Sequence, residues 1–161
     1  MPLVDLNDFS NEFFARNPQL ESIRQPILDA ALLLTDSFRN KHKLLTCGNG
    51  GSAADADHIV GEVVKSFMHE RPLSDELRSK FIETYGPEGE DLSDHLQVGL
   101  PAISLGAHSA LISAFANDVR AENVYAQQVL AYANPGDVLL AISTSGNAGN
   151  VIQAARTAKV L

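Results

Sequence analysis

Residues Leu44–Glu62, LLTCGNGGSAADADHIVGE, set a short apolar run, a glycine-rich turn and a helical pattern in direct succession. The run Lys43–Cys47 is stopped by Gly48, Gly50 and Gly51, the pattern of a strand buried on both faces of a sheet. Downstream, Ile59, Val60, Val63, Val64 and Phe67 recur at helical intervals, which predicts a helix over Ala53–Phe67. Strand, glycine turn and helix form a first βα unit.

The theme continues toward the C-terminus. LPAISLG (100–106) predicts a second strand, HSALISAFAND (108–118) a helix, and AENVYAQQVLAYA (121–133) another helix ended by NPGD. VLLAIS, Val138–Ser143, is the strongest strand pattern in the chain, and it runs through TSGNAGN into a helix over VIQAARTAKV (151–160). Toward the N-terminus, residues 5–39 carry apolar positions at helical spacing interrupted by Asn17-Pro18-Gln19, so two helices are expected. Residues 68–98 are charged, hold Pro and Gly, and show helical periodicity only near Leu77–Ile82; they are expected to form an insertion-like excursion carrying one short helix. Three strands alternating with helices predict an α/β fold, a doubly wound parallel sheet covered on both faces. Ligands of such folds bind at the carboxyl ends of the strands, so CGNGGS and STSGN should share one crevice.

A chain of 161 residues with 45% hydrophobic content suits one domain. Its net charge of −8 and pI near 4.9 argue against a nucleic-acid surface, which needs clustered Lys and Arg. Helix N-termini and backbone N–H groups still allow a small anion. The lone Cys47 within an apolar run suits a reducing compartment. The opening MPLVDLNDFSNEFF has acids where a signal peptide has bases, and no run is long and apolar enough to span a bilayer. A cytoplasmic protein is expected, with no membrane partner.

Two loops carry the candidate chemistry. In GNGGS, glycines allow a ligand to approach the backbone and Ser52 stands where a helix begins, which favours an anion. The plain structural alternative is a capping box between Ser52 and Asp55 with the glycines merely turning the chain. Neither GxGxxG nor a P-loop is present, so nucleotide binding is not supported. In the second loop, Ser143, Thr144 and Ser145 place three consecutive hydroxyls before a helix, a set that satisfies phosphate oxygens or serves as turn and cap residues. His58 and Glu62, four apart, share one helix face; they form a solvated surface pair, grip one metal ion, or, in the case of Glu62, move a proton between adjacent sugar carbons. Asn117-Asp118 ends a helix as a cap or as a polyol contact.

Taken together, CGNGGSAADADHIVGE, FANDV and GDVLLAISTSGNAGNVIQAA resemble the sugar isomerase (SIS) domain family and, within it, the phosphoheptose isomerase group. The resemblance spans roughly Leu44 to Ala155 outside the excursion. It implies a flavodoxin-like three-layer α/β sandwich, a homotetramer with active sites at subunit interfaces, and conversion of sedoheptulose 7-phosphate to a manno-heptose 7-phosphate through an enediol. By that resemblance Ser143, Thr144 and Ser145 hold the phosphate, while Asn49, Gly50, Gly51, Ser52, Asn117 and Asp118 contact the sugar. His58 and Glu62 are then Zn²⁺ ligands, with Glu62 also the catalytic proton-transfer residue. The sequence departs from the family pattern at Ala148, where a Ser is usual; at Ser66, where an Arg is usual beside the present Lys65; and in the length of 68–98. The family also supplies a Gln and a His ligand, a further strand and a final helix beyond the position of Leu161, so the C-terminal part of the domain is expected to be missing here. Two other functions compete: a non-catalytic SIS module that senses a sugar phosphate or acts as a protein adaptor, and a structural oligomer without a ligand.

Overall fold

The computed structural model describes residues 6–161; the expected start of the first helix at residue 5 lies outside the described residues. Helix α1 (Leu6–Arg16) and helix α2 (Arg24–Arg39) are separated by a 3₁₀ turn, Pro18–Ile23, so the NPQ interruption breaks the helix as expected. Strand β1 (Leu44–Cys47) follows, then α3 (Gly51–Lys65), the hairpin of α4 (Asp75–Tyr85) and α5 (Pro87–Asp94), and β2 (Ala102–Ser104). Helix α6 (Ser109–Phe115) continues into a wide π turn, Ala116–Arg120, and a short 3₁₀ turn, Ala121–Asn123. Helix α7 (Val124–Tyr132), β3 (Val138–Ala141) and α8 (Gly149–Val160) complete the order.

The three strands are parallel in the order β2-β1-β3, with Leu45 opposite both Ile103 and Leu139. This is the strand order of a flavodoxin-like doubly wound sheet around its switch point. Every residue of β1 is buried, because it is central and covered on both faces. Side chains alternate: Leu45 and Cys47 join Leu105, Val124, Tyr125, Val129, Val151 and Ala154 in a core beneath α7 and α8, while Thr46 points the other way and its hydroxyl reaches the Ala56 carbonyl of α3 at 3.3 Å. Helices therefore cover both faces, and the predicted three-layer α/β arrangement is the observed one.

The strongest apolar run is not the most buried strand. Strand β3 ends at Ala141 rather than Ser143, is only half-buried, and lies at the edge of the described sheet. The excursion also differs from expectation, since it holds two helices. Ser74 caps α4 by accepting from the Leu77 N–H at 3.3 Å, with Asp75 and Glu76 in the first turn, and Pro87 begins α5. Arg78 of α4 meets Asp94 at 2.9 Å and Glu90 at 3.1 Å, pinning the two helices together. The hairpin closes at its base, where Val98 N–H donates to the Arg71 carbonyl at 2.7 Å and Pro72 bridges Gln97.

At the opposite end of the sheet from the ligand loops, Asp137 is 3% exposed and 2.5 Å from the Lys43 ammonium. Burial pushes its carboxyl up, but the Lys43 side chain together with the Lys43 and Asn134 N–H groups more than compensates, and its pKa lies below the ordinary 3.8. A depressed folded pKa means that this stabilisation is complete above pH 3.8 and is lost as the pH falls through the folded value. Asp137→Ala should therefore cost about 3 kcal/mol at neutral pH, since it strands a partly buried lysine. Urea unfolding at a series of pH values should show the gap between wild type and variant closing below pH 3.8.

Candidate active site

Loop 48–50 leaves β1 and enters α3 under tight steric limits. A Cβ on Gly48 would lie 2.6 Å from the Ser52 carbonyl oxygen, so only glycine lets the first turn of α3 fold back this closely. Gly50 has φ 55° and ψ −122°, a backbone state reserved for glycine, and it is the residue that caps the helix. No side chain caps α3, and Ser52 lies inside the first turn, 8% exposed. The Ser52–Asp55 capping box is thus not formed, because the helix starts earlier, at Gly51, and its N-cap position falls to Gly50. Asn49 and Gly50 are exposed at the carboxyl end of β1, and the first-turn N–H groups of α3 stand beside them.

The second loop leaves β3 next to the first: Ile142 N–H donates to the Cys47 carbonyl at 2.8 Å. Ser143 is half-buried, and Thr144 and Ser145 are exposed. The Asn147 N–H donates to the Ser145 hydroxyl oxygen at 3.2 Å, which leaves the Ser145 O–H available as a donor. Helix α8 begins at Gly149 with Ala148 at its N-cap, where alanine offers no capping oxygen. The N–H groups of Gly149 and Asn150 consequently lack intrahelical acceptors.

The two loops are joined by Asn49 together with two side chains that the sequence did not single out, Asn150 and Tyr125. Asn49 and Asn150 exchange amides, Nδ2 to Oδ1 at 2.8 Å in one direction and 2.9 Å in the other. Tyr125, 6% exposed in α7, donates its O–H to the Gly48 carbonyl at 2.6 Å. Burial and the nearby Cys47 and Asp57 raise the Tyr125 pKa, so it stays a protonated donor. Burial also pushes the Cys47 thiol up to about 11, which makes it a core residue and not a nucleophile. The signal for Tyr125 is its hydroxyl, which must find a partner when buried.

His58 and Glu62 do share one face of α3, with His58 Nε2 3.4 Å from Glu62 Oε1. Glu62 Oε2 is engaged separately, 3.0 Å from the Lys65 ammonium. Both line an open depression of about 610 Å³ with Asp55, Ile59, Val63, Phe67 and Ile142. Since Ile142 directly precedes Ser143, the depression adjoins the hydroxyl loop. Asn117 and Asp118 sit on the exposed π turn after α6 and pair with each other at 2.8 Å. Their turn is linked to the crevice through residues 121–123, where the Glu122 side chain lies against Gly149.

Zinc, implied by the sequence resemblance, can be tested against these donors. Two ligands at tetrahedral positions with bonds of about 2.0–2.1 Å stand about 3.3 Å apart, close to the observed separation of 3.4 Å. The pair fits zinc in type and spacing but not in number: among the described residues no group of three or more His, Cys, Asp or Glu is placed to hold an ion.

A parallel α/β sheet with a glycine turn and a hydroxyl loop at its switch point defines a domain of the doubly wound class. More specifically, the SIS domain model matches residues 9–82 and 92–161, and the chain belongs to that family. It is 37% identical over 138 residues to the phosphoheptose isomerase of Shewanella piezotolerans, covering 86% of this chain and 57% of that protein. Its identity to the phosphoheptose isomerase of Crocosphaera subtropica is 42% over 129 residues, covering 80% and 53%. The chain thus spans little more than half the length of these curated relatives. Among solved structures it is similar to phosphoheptose isomerase GmhA from Neisseria gonorrhoeae, with a TM-score of 0.67 and 30% identity over 96% of this chain and 66% of that one. A phosphoheptose isomerase from Francisella tularensis aligns with a TM-score of 0.66 and 26% identity, covering 99% and 72%.

Gly48→Ala should displace the start of α3 and cost about 1–3 kcal/mol. Tyr125→Phe removes one hydrogen bond to a buried carbonyl and should cost about 1 kcal/mol. Chemical denaturation measures both, and amide hydrogen exchange should accelerate at residues 49–53 in each variant.

Proposed function

We propose that the chain acts on a phosphorylated sugar as an aldose–ketose isomerase of the phosphoheptose type, with sedoheptulose 7-phosphate or a related sugar phosphate as substrate. The observation that carries this reading is the open depression that holds the His58–Glu62 face together with Ile142, the residue that leads into the hydroxyl loop. Ser143, Thr144, Ser145 and the first N–H groups of α8 would take the phosphate. Asn49, Gly50, Gly51, Ser52, Asn117 and Asp118 would contact the sugar. Glu62 would carry the proton: its carboxylate takes a proton from C1 of the ketose while the C2 carbonyl oxygen gains one, giving the enediol. Return of a proton to C2 with loss of the O1 proton gives the aldose.

His58 and Glu62 would supply two of the ligands of a zinc ion, with the Gln and His that the family carries beyond residue 161 as the others. When bound, such an ion polarises the substrate oxygens. The apolar wall of the depression, with Phe67 77% exposed, supports a homo-oligomer, a tetramer by family resemblance, in which a neighbouring copy covers it. No helix among the described residues is long and apolar enough to cross a membrane, and a free buried Cys47 accords with the cytoplasm. A second reading needs only the hydroxyl loop: a SIS module that binds a sugar phosphate without turning it over.

Incubation with sedoheptulose 7-phosphate in D₂O, with and without Zn²⁺, separates the readings. Isomerisation predicts an aldose with deuterium at C2, abolished in Glu62→Gln. Binding without exchange, unaffected by Glu62→Gln, would establish the non-catalytic module instead. Phe67→Glu should lower the mass measured by light scattering if copies pack on the depression.

A further inference from the structure

An asparagine side chain has two N–H donors and two acceptor lone pairs. In the reciprocal pair, Asn49 gives one N–H to Asn150 Oδ1 at 2.8 Å and accepts from Asn150 Nδ2 at 2.9 Å. Its Oδ1 also lies 3.4 Å from the Tyr125 oxygen, whose single proton goes to the Gly48 carbonyl at 2.6 Å. One acceptor position of Asn49 is therefore bonded to Asn150 and the other is set against the Tyr125 oxygen, and one N–H of the amide is left unused. Asn150 is anchored in turn, because its Oδ1 accepts the Val151 N–H at 3.0 Å within the first turn of α8. The geometry of the pair is thus set from α8 on one side and from buried Tyr125 on the other.

We infer that Asn150 is a positioning residue that latches the glycine loop to the hydroxyl loop and turns Asn49 into a donor-only contact, so that the site selects a ligand presenting an acceptor oxygen there. The inference rests on the sugar-phosphate reading of the site for its ligand but on the ligand-free geometry for the latch. Two properties follow. The amide pair fixes the separation between the phosphate-holding and sugar-holding halves of the crevice, which tunes the site to the length of the phosphosugar. It also fixes the orientation of the Asn49 amide, whose flip would present an oxygen where an N–H now stands.

The test compares wild type with Asn150→Ala, Asn150→Asp, Asn49→Ala and the double alanine variant, and it has two arms. In the ligand-free arm, amide chemical shifts and hydrogen exchange are measured across residues 48–53. Asn150→Ala should perturb Gly50 and Gly51, although they belong to a different strand–helix connection; unchanged signals there would overturn the latch whether or not any ligand binds. In the ligand arm, calorimetry measures sedoheptulose 7-phosphate and inorganic phosphate. Asn150→Ala should weaken the sugar phosphate about tenfold, as expected for loss of one oriented hydrogen bond, and phosphate by less than about twofold. Asn150→Asp keeps the acceptor that holds the Asn49 N–H and the Val151 N–H, and should recover part of the loss. In the Asn49→Ala background, Asn150→Ala should add nothing. Equal weakening of both ligands, or additive losses, would make Asn150 merely structural and overturn its positioning role. Failure of wild type to bind either ligand would instead refute the sugar-phosphate reading, and the ligand-free arm would still decide the latch.

Discussion

The close approach of the first turn of α3 to Gly48 is the constraint on which the crevice depends. Because no Cβ fits between Gly48 and the Ser52 carbonyl, the helix starts directly against the end of β1, and its first turn stands at the carboxyl edge of the sheet. The Tyr125 hydroxyl holds the same glycine from the opposite face through its carbonyl. A single residue is therefore fixed by helices of both outer layers. The position of Asn49, one residue on, is inherited from it, as is the distance to the loop after β3. The sheet register supplies the rest, since Ile142 N–H is bonded to the Cys47 carbonyl and so brings the hydroxyl loop level with the glycine loop.

Much of this architecture was legible in the sequence because it rests on local signals. The βα units follow from short apolar runs ended by glycine or hydroxyl clusters and followed by helical spacing. The shared crevice follows from the general geometry of doubly wound sheets. The i, i+4 relation of His58 and Glu62 likewise needs only a helix. What escaped was non-local. The run Val138–Ser143 looked fully buried, but an apolar run does not encode whether a strand is central or at an edge, and β3 is half-buried. Helix α5 was hidden because Glu88-Gly89-Glu90-Asp91 lacks an apolar period, and it is held instead by Pro87 at its start and by Arg78 across the hairpin. Asn150 sits one hundred and one positions from Asn49, and no spacing rule joins them.

The candidate site has the same division. The hydroxyl triplet and the His/Glu face announce themselves by residue type, and the structure brings the Glu62 face beside Ile142 at the mouth of the hydroxyl loop. Asn117 and Asp118 stand on an exposed π turn after α6, bonded to each other, a widened backbone path that periodicity does not foretell. Widened turns of this kind recur where a helix must present polar side chains out of register with its own face.

The junction between α3 and the hairpin has a consequence for how the chain can vary. Ser66 holds a φ of 76°, unusual for a residue with a side chain, and its hydroxyl donates to Gln97 at 2.6 Å, while Arg71 donates to the Val63 and Val98 carbonyls. Both ends of the 71–98 segment are thereby fastened to the same helix terminus, within hydrogen-bonding distance of each other. Closing a flexible segment at such a base costs only slowly more as its contents lengthen. The hairpin is thus a cassette: material between the fastened ends can grow, shrink or be exchanged with little cost to the sheet. The strained serine marks the seam where it is spliced into the domain.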